Sequence, residues 1–278
     1  MGKLYIITVV TESKYYFPYL KESCKLNGIE LVVLGYGEKW KGFNWRSKLI
    51  INFMSKLNRD DIVCVIDGYD VLCTRNLLEL PNVFKNIHKK TGCKMIVGHD
   101  KILKNFSSIY VKYFFGTCKN ISINIGTYIG YSLDVIDILN KIQIMNSKDN
   151  ADDQVLITKY CNIYPDEIYI DTDNQIFLAI DSPLNKITDF INLDNNIVSY
   201  NGNIPFFIHG PGSTYLDELI IKLYGINPNL NNDFKKKYIN FFIDSIKVYF
   251  IYCIKILFIL FSFLMLIYLI FILLKKKK

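Results

Sequence analysis

The sequence predicts an α/β domain with a mixed, mostly parallel central sheet, followed by a C-terminal transmembrane helix. Residues 4 to 10 and 62 to 66 are continuous apolar runs rich in Val and Ile, as expected of strands buried on both faces. Between them apolar residues recur at helical spacing, and strands that alternate with helices assemble into parallel sheets with right-handed crossovers. Residues 256 to 274 are 19 uncharged positions between Lys255 and Lys275, long enough to cross a hydrocarbon core.

In chain order, residues 4 to 10 make the first strand and residues 13 to 26 a helix that stops at Asn27-Gly28, a C-cap signal. Residues 30 to 34 make a second strand, 35 to 44 a loop containing Gly and Trp, and 46 to 57 a second helix. The third strand ends on two carboxylates, Asp67 and Asp70. Beyond it the pattern is less regular. A helix is expected over 76 to 90 with a break at Pro81, then a strand over 94 to 97 and a helix or aromatic loop near 105 to 115. Residues 122 to 131 hold Asn124, Gly126 and Gly130 ahead of a helix over 133 to 144. Asp152 and Asp153 open another helix, where acids suit the dipole. Short strands are expected near 167 to 170, 175 to 180, 187 to 192 and 205 to 209. The organisation is therefore a globular domain over 1 to 225, a linker and juxtamembrane segment over 226 to 255, the membrane helix over 256 to 274 and a basic tail over 275 to 278.

The formal charge of +7 is unevenly placed: nine of the 33 basic residues lie from Lys235 onward, so residues 1 to 232 carry 24 of each sign. A neutral globular part without a recognition-helix or zinc-knuckle pattern argues against nucleic acid as a partner. Seven cysteines without a Cys-x-x-Cys pair read as reduced, mostly buried thiols on the cytosolic side. The first strand lacks the flanks of a signal peptide. The simplest topology is thus a single-pass membrane protein with a C-terminal anchor and its catalytic domain in the cytosol rather than a lumen, although four terminal lysines pull the other way.

Paired acids at the end of a buried strand are costly unless a cation sits between them, and that edge of an α/β sheet is where ligands bind. Gly68-Tyr69 lets the chain turn so that Asp67 and Asp70 face one ion. His209 is the natural third ligand, at the end of an apolar strand and before Gly210-Pro211-Gly212, a turn able to approach phosphate. Two carboxylates and an imidazole favour Mn²⁺, with Mg²⁺ the alternative. Asp152 and Asp153 read equally well as helix caps or as catalytic acids, and Asn124 as a turn residue or a site residue. His88 and His99 read as structural.

The ordered motifs resemble those of the glycosyltransferase domain of procollagen lysyl hydroxylases and related collagen-type glycosyltransferases, including relatives in large DNA viruses. They are Thr8-Val9-Val10-Thr11, residues 35 to 42 with Trp40, Lys48, Asp67-Gly68-Tyr69-Asp70, Asn124-Ile125-Gly126, Asp152-Asp153-Gln154 and His209-Gly210-Pro211-Gly212, spread over residues 3 to 216. The resemblance implies a GT-A-type nucleotide-sugar-binding fold, Mn²⁺ held by Asp67, Asp70 and His209, and UDP-glucose or UDP-galactose as donor. It further implies that Trp40 and Tyr69 stack on uracil, that Thr8, Val10 and Thr11 line the nucleoside pocket, and that Lys48, Gly210 and Gly212 meet phosphate. Asp152, Asp153 and Asn124 would serve the sugar and the acceptor, a protein or glycan hydroxyl such as that of hydroxylysine.

Three departures qualify the likeness. Pro211 stands where the family has asparagine, removing an amide and a backbone N–H. Ile125 replaces a small residue, and the stretch between Gly42 and Lys48 is short. The hydroxylase half of that family has no counterpart in these residues. Two other readings compete: an aspartate-based phosphohydrolase, which needs Asp-x-Asp rather than the longer spacing found here, and a degenerate glycosyltransferase-like binding module.

Overall fold

A computed structural model describes residues 2–102, 112, 114–146, 151–182 and 184–230, with scattered positions between 233 and 265. The chain divides into one compact unit over Met1–Asn231 and a second over Asn232–Lys278. Among the described residues no helix is long and apolar enough to cross a membrane. This corrects the expected C-terminal anchor, and with it the membrane partner and the cytosolic placement; most of residues 256 to 274, on which that expectation fell, lie outside the described residues.

The first half folds as its periodicity dictates. Strand β1 (Leu4–Val9), helix α1 (Phe17–Leu26), β2 (Leu31–Leu34), α2 (Phe43–Met54) and β3 (Ile62–Ile66) follow in order, and β1 pairs in parallel with both β2 and β3. Helix α1 starts later than its apolar spacing suggests because Pro18 lies in its first turn, where a missing N–H is harmless. Pro81 acts likewise: instead of breaking a helix it lies in the first turn of α3 (Leu80–Thr91), after a 3₁₀ turn at Leu77–Glu79.

Strand β4 (Val71–Cys73) is too short to read from sequence, and it decides the shape of the sheet. The other strands are β5 (Met95–Ile102), β6 (Ile123–Tyr131), β7 (Ile168–Ile170), β8 (Phe177–Asp181) and β11 (Phe207–His209), in the order β2-β1-β3-β6-β5-β8-β11-β4 with β7 beside β5. The strands run parallel in β2-β1-β3 and in β7-β5-β8-β11, while β6 and β4 oppose their neighbours. Only residues 67–70 join β3 to β4, yet five strand spacings separate them in this order. Laid flat, five spacings measure about 24 Å, whereas the linking backbone reaches about 18 Å. The sheet must curl, and its curl closes on the acid turn.

Helices α4 (Ser132–Met145) and α5 (Asp153–Ile163) join α2 on one face of the sheet; α1 and α3 cover the other. Alternate residues of β3 serve the two cores, Val63 and Val65 one, Ile62, Cys64 and Ile66 the other. Full burial of each valine or isoleucine among them contributes about 1.5–3 kcal/mol. A further helix, α6, spans Asp217–Tyr224. The strand expected near 187 to 192 is instead a 3₁₀ turn at Ile187–Asp189, followed by a separate hairpin of β9 (Asn192–Asp194) and β10 (Ile197–Ser199). Asn195 and Asn196 take left-handed backbone angles at its tip, which asparagine tolerates. The segment expected near 105 to 115 lies mostly outside the described residues.

The cysteines correct another expectation. Cys118 and Cys161 form a disulfide across 43 residues, because the fold lays the segment before β6 against the last turn of α5. Cys24, Cys64, Cys73 and Cys93 are free and buried.

Candidate metal centre and active site

Curling brings β11 beside β4, so that His209 pairs with Val71, the residue after Asp70. Ligand atoms of Asp67, Asp70 and His209 consequently lie within 4.8 Å of one another. His209 Nε2 is 3.2 Å from Asp70 Oδ1 and 3.9 Å from Asp67 Oδ2. The Gly210 N–H donates to the Asp70 carbonyl at 2.8 Å, locking the turn after β11 to the acid loop. The Asp67 N–H donates to the Gly126 carbonyl at 2.7 Å, fixing the other end of that loop on β6.

Close approach needs missing side chains. A Cβ on Gly126 would lie 2.5 Å from both Asp67 Oδ2 and His209 Cε1, so only glycine lets these two side chains meet over β6. A Cβ on Gly68 would lie 2.0 Å from Val10 Cγ1 and 2.8 Å from Thr8 Oγ1. That contact seats the acid turn on the end of β1.

Asn124 orients the histidine. Its Oδ1 accepts from the Gly126 N–H at 3.0 Å and lies 3.1 Å from His209 Nδ1, while its Nδ2 donates to Asp100 Oδ1 at 2.6 Å. Because one amide face must accept and the other donate, the imidazole carries its proton on Nδ1 and turns Nε2 to the acids. Burial disfavours the charged imidazole, but Asp70, then Asp67 and Asp100, outweigh it and raise His209 above its usual value. A cation would take the place of that proton. Asn124 is 2 % exposed, and its amide is engaged by Gly126, His209 and Asp100.

Arg46, which sequence reasoning missed, joins this centre to α5. Its guanidinium, on a side chain 8 % exposed, lies 2.8 Å by Nη2 from Asp67 Oδ1 and 3.3 Å by Nη1 from Asp153 Oδ2. The first is an ion pair rather than an aligned hydrogen bond. The available signal was an arginine within the buried stripe of α2 that includes Trp45, Ile50 and Met54. Burial raises the Asp153 carboxyl to about 7 despite Arg46. Asp152 caps α5, accepting from the Val155 N–H at 3.0 Å. Two further acids were also missed. Burial raises Asp100, which accepts from Gln154 Nε2 at 3.2 Å, to about 6. It raises Asp181, against whose Oδ1 a Cβ on Gly212 would collide at 2.6 Å, to about 7. Asp181 ends an apolar strand, the same signal that marks Asp67, whereas Asp100 follows Gly98-His99 inside β5 and lacks that signal.

The remaining expected residues are distributed around the centre. Thr8 and Val10 are buried at the end of β1, and the Tyr69 hydroxyl accepts from the Thr11 N–H at 3.1 Å. Tyr69 meets Tyr15 edge-on, whereas Trp40, 44 % exposed, meets Phe43 and Trp45 edge-on. Lys48 stands about 200° around α2 from Arg46. There it lines a cleft of about 430 Å³ with Asn44, Asn140, Gln143 and Ile144, none of them in the acid cluster.

A curled, mixed α/β sheet with an Asp-Asp-His group at the carboxyl ends of β3 and β11 fits a GT-A-like domain. A model of the PLOD GT domain matches residues 1–224, and the chain belongs to that family of glycosyltransferase domains. Similar proteins include procollagen-lysine,2-oxoglutarate 5-dioxygenase of Drosophila melanogaster, 27% identical over 238 residues, 77% of this chain and 31% of that protein. The multifunctional procollagen lysine hydroxylase and glycosyltransferase of Caenorhabditis elegans is 25% identical over 233 residues, 76% of this chain and 31% of that protein. Procollagen-lysine,2-oxoglutarate 5-dioxygenase 2 of Homo sapiens is 25% identical over 244 residues, 80% of this chain and 31% of that protein. The chain thus spans about a third of the length of these relatives.

Proposed function

We propose that this domain transfers a hexose, glucose or galactose, from a UDP-sugar to an acceptor hydroxyl, with Mn²⁺ held by Asp67, Asp70 and His209. The observation that carries this reading is the convergence of those three ligands from β3, the acid turn and β11 within 4.8 Å. Asp67, Asp70 and His209 would hold the cation, whose charge would offset that developing on the diphosphate as UDP departs.

The chain's own residues supply the rest. Asn124 holds the His209 proton on Nδ1, and Gly126 leaves room for the ligands. Asp153, at the first turn of α5, is the acid best placed to orient or deprotonate the acceptor hydroxyl; one oxygen of Asp152 is committed to its cap. Thr8, Val10 and Thr11 bound the nucleoside side of the centre, Trp40 and Tyr69 offer ring faces for uracil, and Gly210 and Gly212 allow phosphate to approach. Lys48 is the weakest of the proposed phosphate contacts, given its place on α2. The acceptor class suggested by the family is a hydroxylysine hydroxyl or a sugar already attached to it. Full-length chain incubated with Mn²⁺ and a panel of UDP-sugars tests the proposal. Release of UDP from UDP-glucose or UDP-galactose supports it, and inertness towards every UDP-hexose, with and without a hydroxylysine peptide, refutes it.

A further inference from the structure

We infer that Arg46 is a positioning residue that divides the two oxygens of Asp67 between protein and cation and sets Asp153 at a fixed place beside the metal centre. The inference rests on the metal-dependent reading above. Asp67 presents Oδ1 to Arg46 Nη2 at 2.8 Å and turns Oδ2 towards His209 Nε2. The second nitrogen, Nη1, reaches Asp153 Oδ2 at 3.3 Å. One rigid, planar fork therefore spans a cation ligand from the end of β3 and an acid from the start of α5. A lysine ammonium is a point donor on a flexible stem and does not reproduce that span.

Stability alone is a weak reason for this arrangement. Buried ion pairs recover little more than their desolvation, and apolar replacements are often neutral or better. Function supplies a reason: without the fork, the Asp67 carboxylate is free to rotate, and Asp153 loses the partner that holds it at the rim. Arg46 itself is 6 % exposed, and its guanidinium is engaged by Asp67 and Asp153. Outer partners of metal ligands characteristically govern metal affinity by 10- to 100-fold.

The test uses full-length chain carrying Arg46→Met, Arg46→Lys or Asp153→Asn, with Mn²⁺ affinity read by electron paramagnetic resonance of the free ion and kcat by UDP release. Arg46→Met is expected to weaken Mn²⁺ binding about 10- to 100-fold, with Arg46→Lys intermediate. Asp153→Asn is expected to leave Mn²⁺ affinity within about twofold while lowering kcat about tenfold or more. Folded Arg46→Met that binds Mn²⁺ as tightly as wild type, or more tightly, overturns the inference. Should Arg46→Met fail to fold, Arg46→Lys decides, and wild-type Mn²⁺ affinity together with wild-type kcat in that variant overturns it. Wild-type chain that binds no Mn²⁺ sinks the metal reading itself, a result distinct from either of these.

Discussion

His209 Nδ1 lies 3.1 Å from Asn124 Oδ1, and this one contact determines which imidazole nitrogen faces the acid pair. The orientation is doubly secured, since the same amide oxygen accepts from the Gly126 N–H and the amide nitrogen donates to Asp100. Asn124→Ala frees the imidazole to rotate and leaves the Gly126 N–H unpaired. Mn²⁺ affinity should fall about 10- to 100-fold, measured by titration of the free ion; unchanged affinity would show that packing alone orients His209.

Gly126→Ala places a methyl group 2.5 Å from an oxygen of Asp67 and a carbon of His209. Overpacking of this kind destabilises by about 1–3 kcal/mol, and here the displaced atoms are the proposed cation ligands. UDP release should drop at least about tenfold in protein that still melts cooperatively. Full activity in this variant would mean that the ligands need not meet over β6.

Asp152 has two possible roles that one pair of variants separates. Asparagine caps helices about as well as aspartate, whereas alanine costs about 1 kcal/mol. Asp152→Ala should therefore lower the melting temperature by about 2–4 °C, while Asp152→Asn should leave it unchanged. If Asp152→Asn keeps both its melting temperature and its turnover, Asp152 acts as a cap; loss of turnover alone assigns its carboxylate to substrate.

The Cys118–Cys161 bridge closes a loop of 43 residues and holds the last turn of α5. A double replacement by serine should lower the unfolding free energy by about 2–4 kcal/mol. Urea denaturation with and without a dithiol reductant checks this. Coincident curves would show that the bridge contributes nothing.

The parts legible in the sequence were those written in short-range pattern. Alternating apolar runs define β1, α1, β2, α2 and β3, and the acids that end β3 are where an α/β sheet binds ligands. The Asp-Asp-His group was readable because Asp67 follows one buried strand, Asp70 lies three residues on, and His209 ends another. What escaped depended on distant neighbours. Strand β4 is three residues long and exists only because β11 lies opposite it. Arg46 falls on the buried stripe of α2, but nothing near it in sequence points to Asp67 and Asp153 as its partners. Cys118 and Cys161 are far apart in sequence, and no spacing rule pairs them. Pro81 was misread because proline stops a helix from within but starts one from its first turn.

The account turns on a cation shared by Asp67, Asp70 and His209, and UDP release by chelator-stripped protein measures that dependence directly. The prediction is negligible turnover of UDP-hexose without metal, recovery when Mn²⁺ is restored, and no recovery in Asp70→Ala. Wild-type rates in the stripped protein, or in Asp70→Ala, would contradict it.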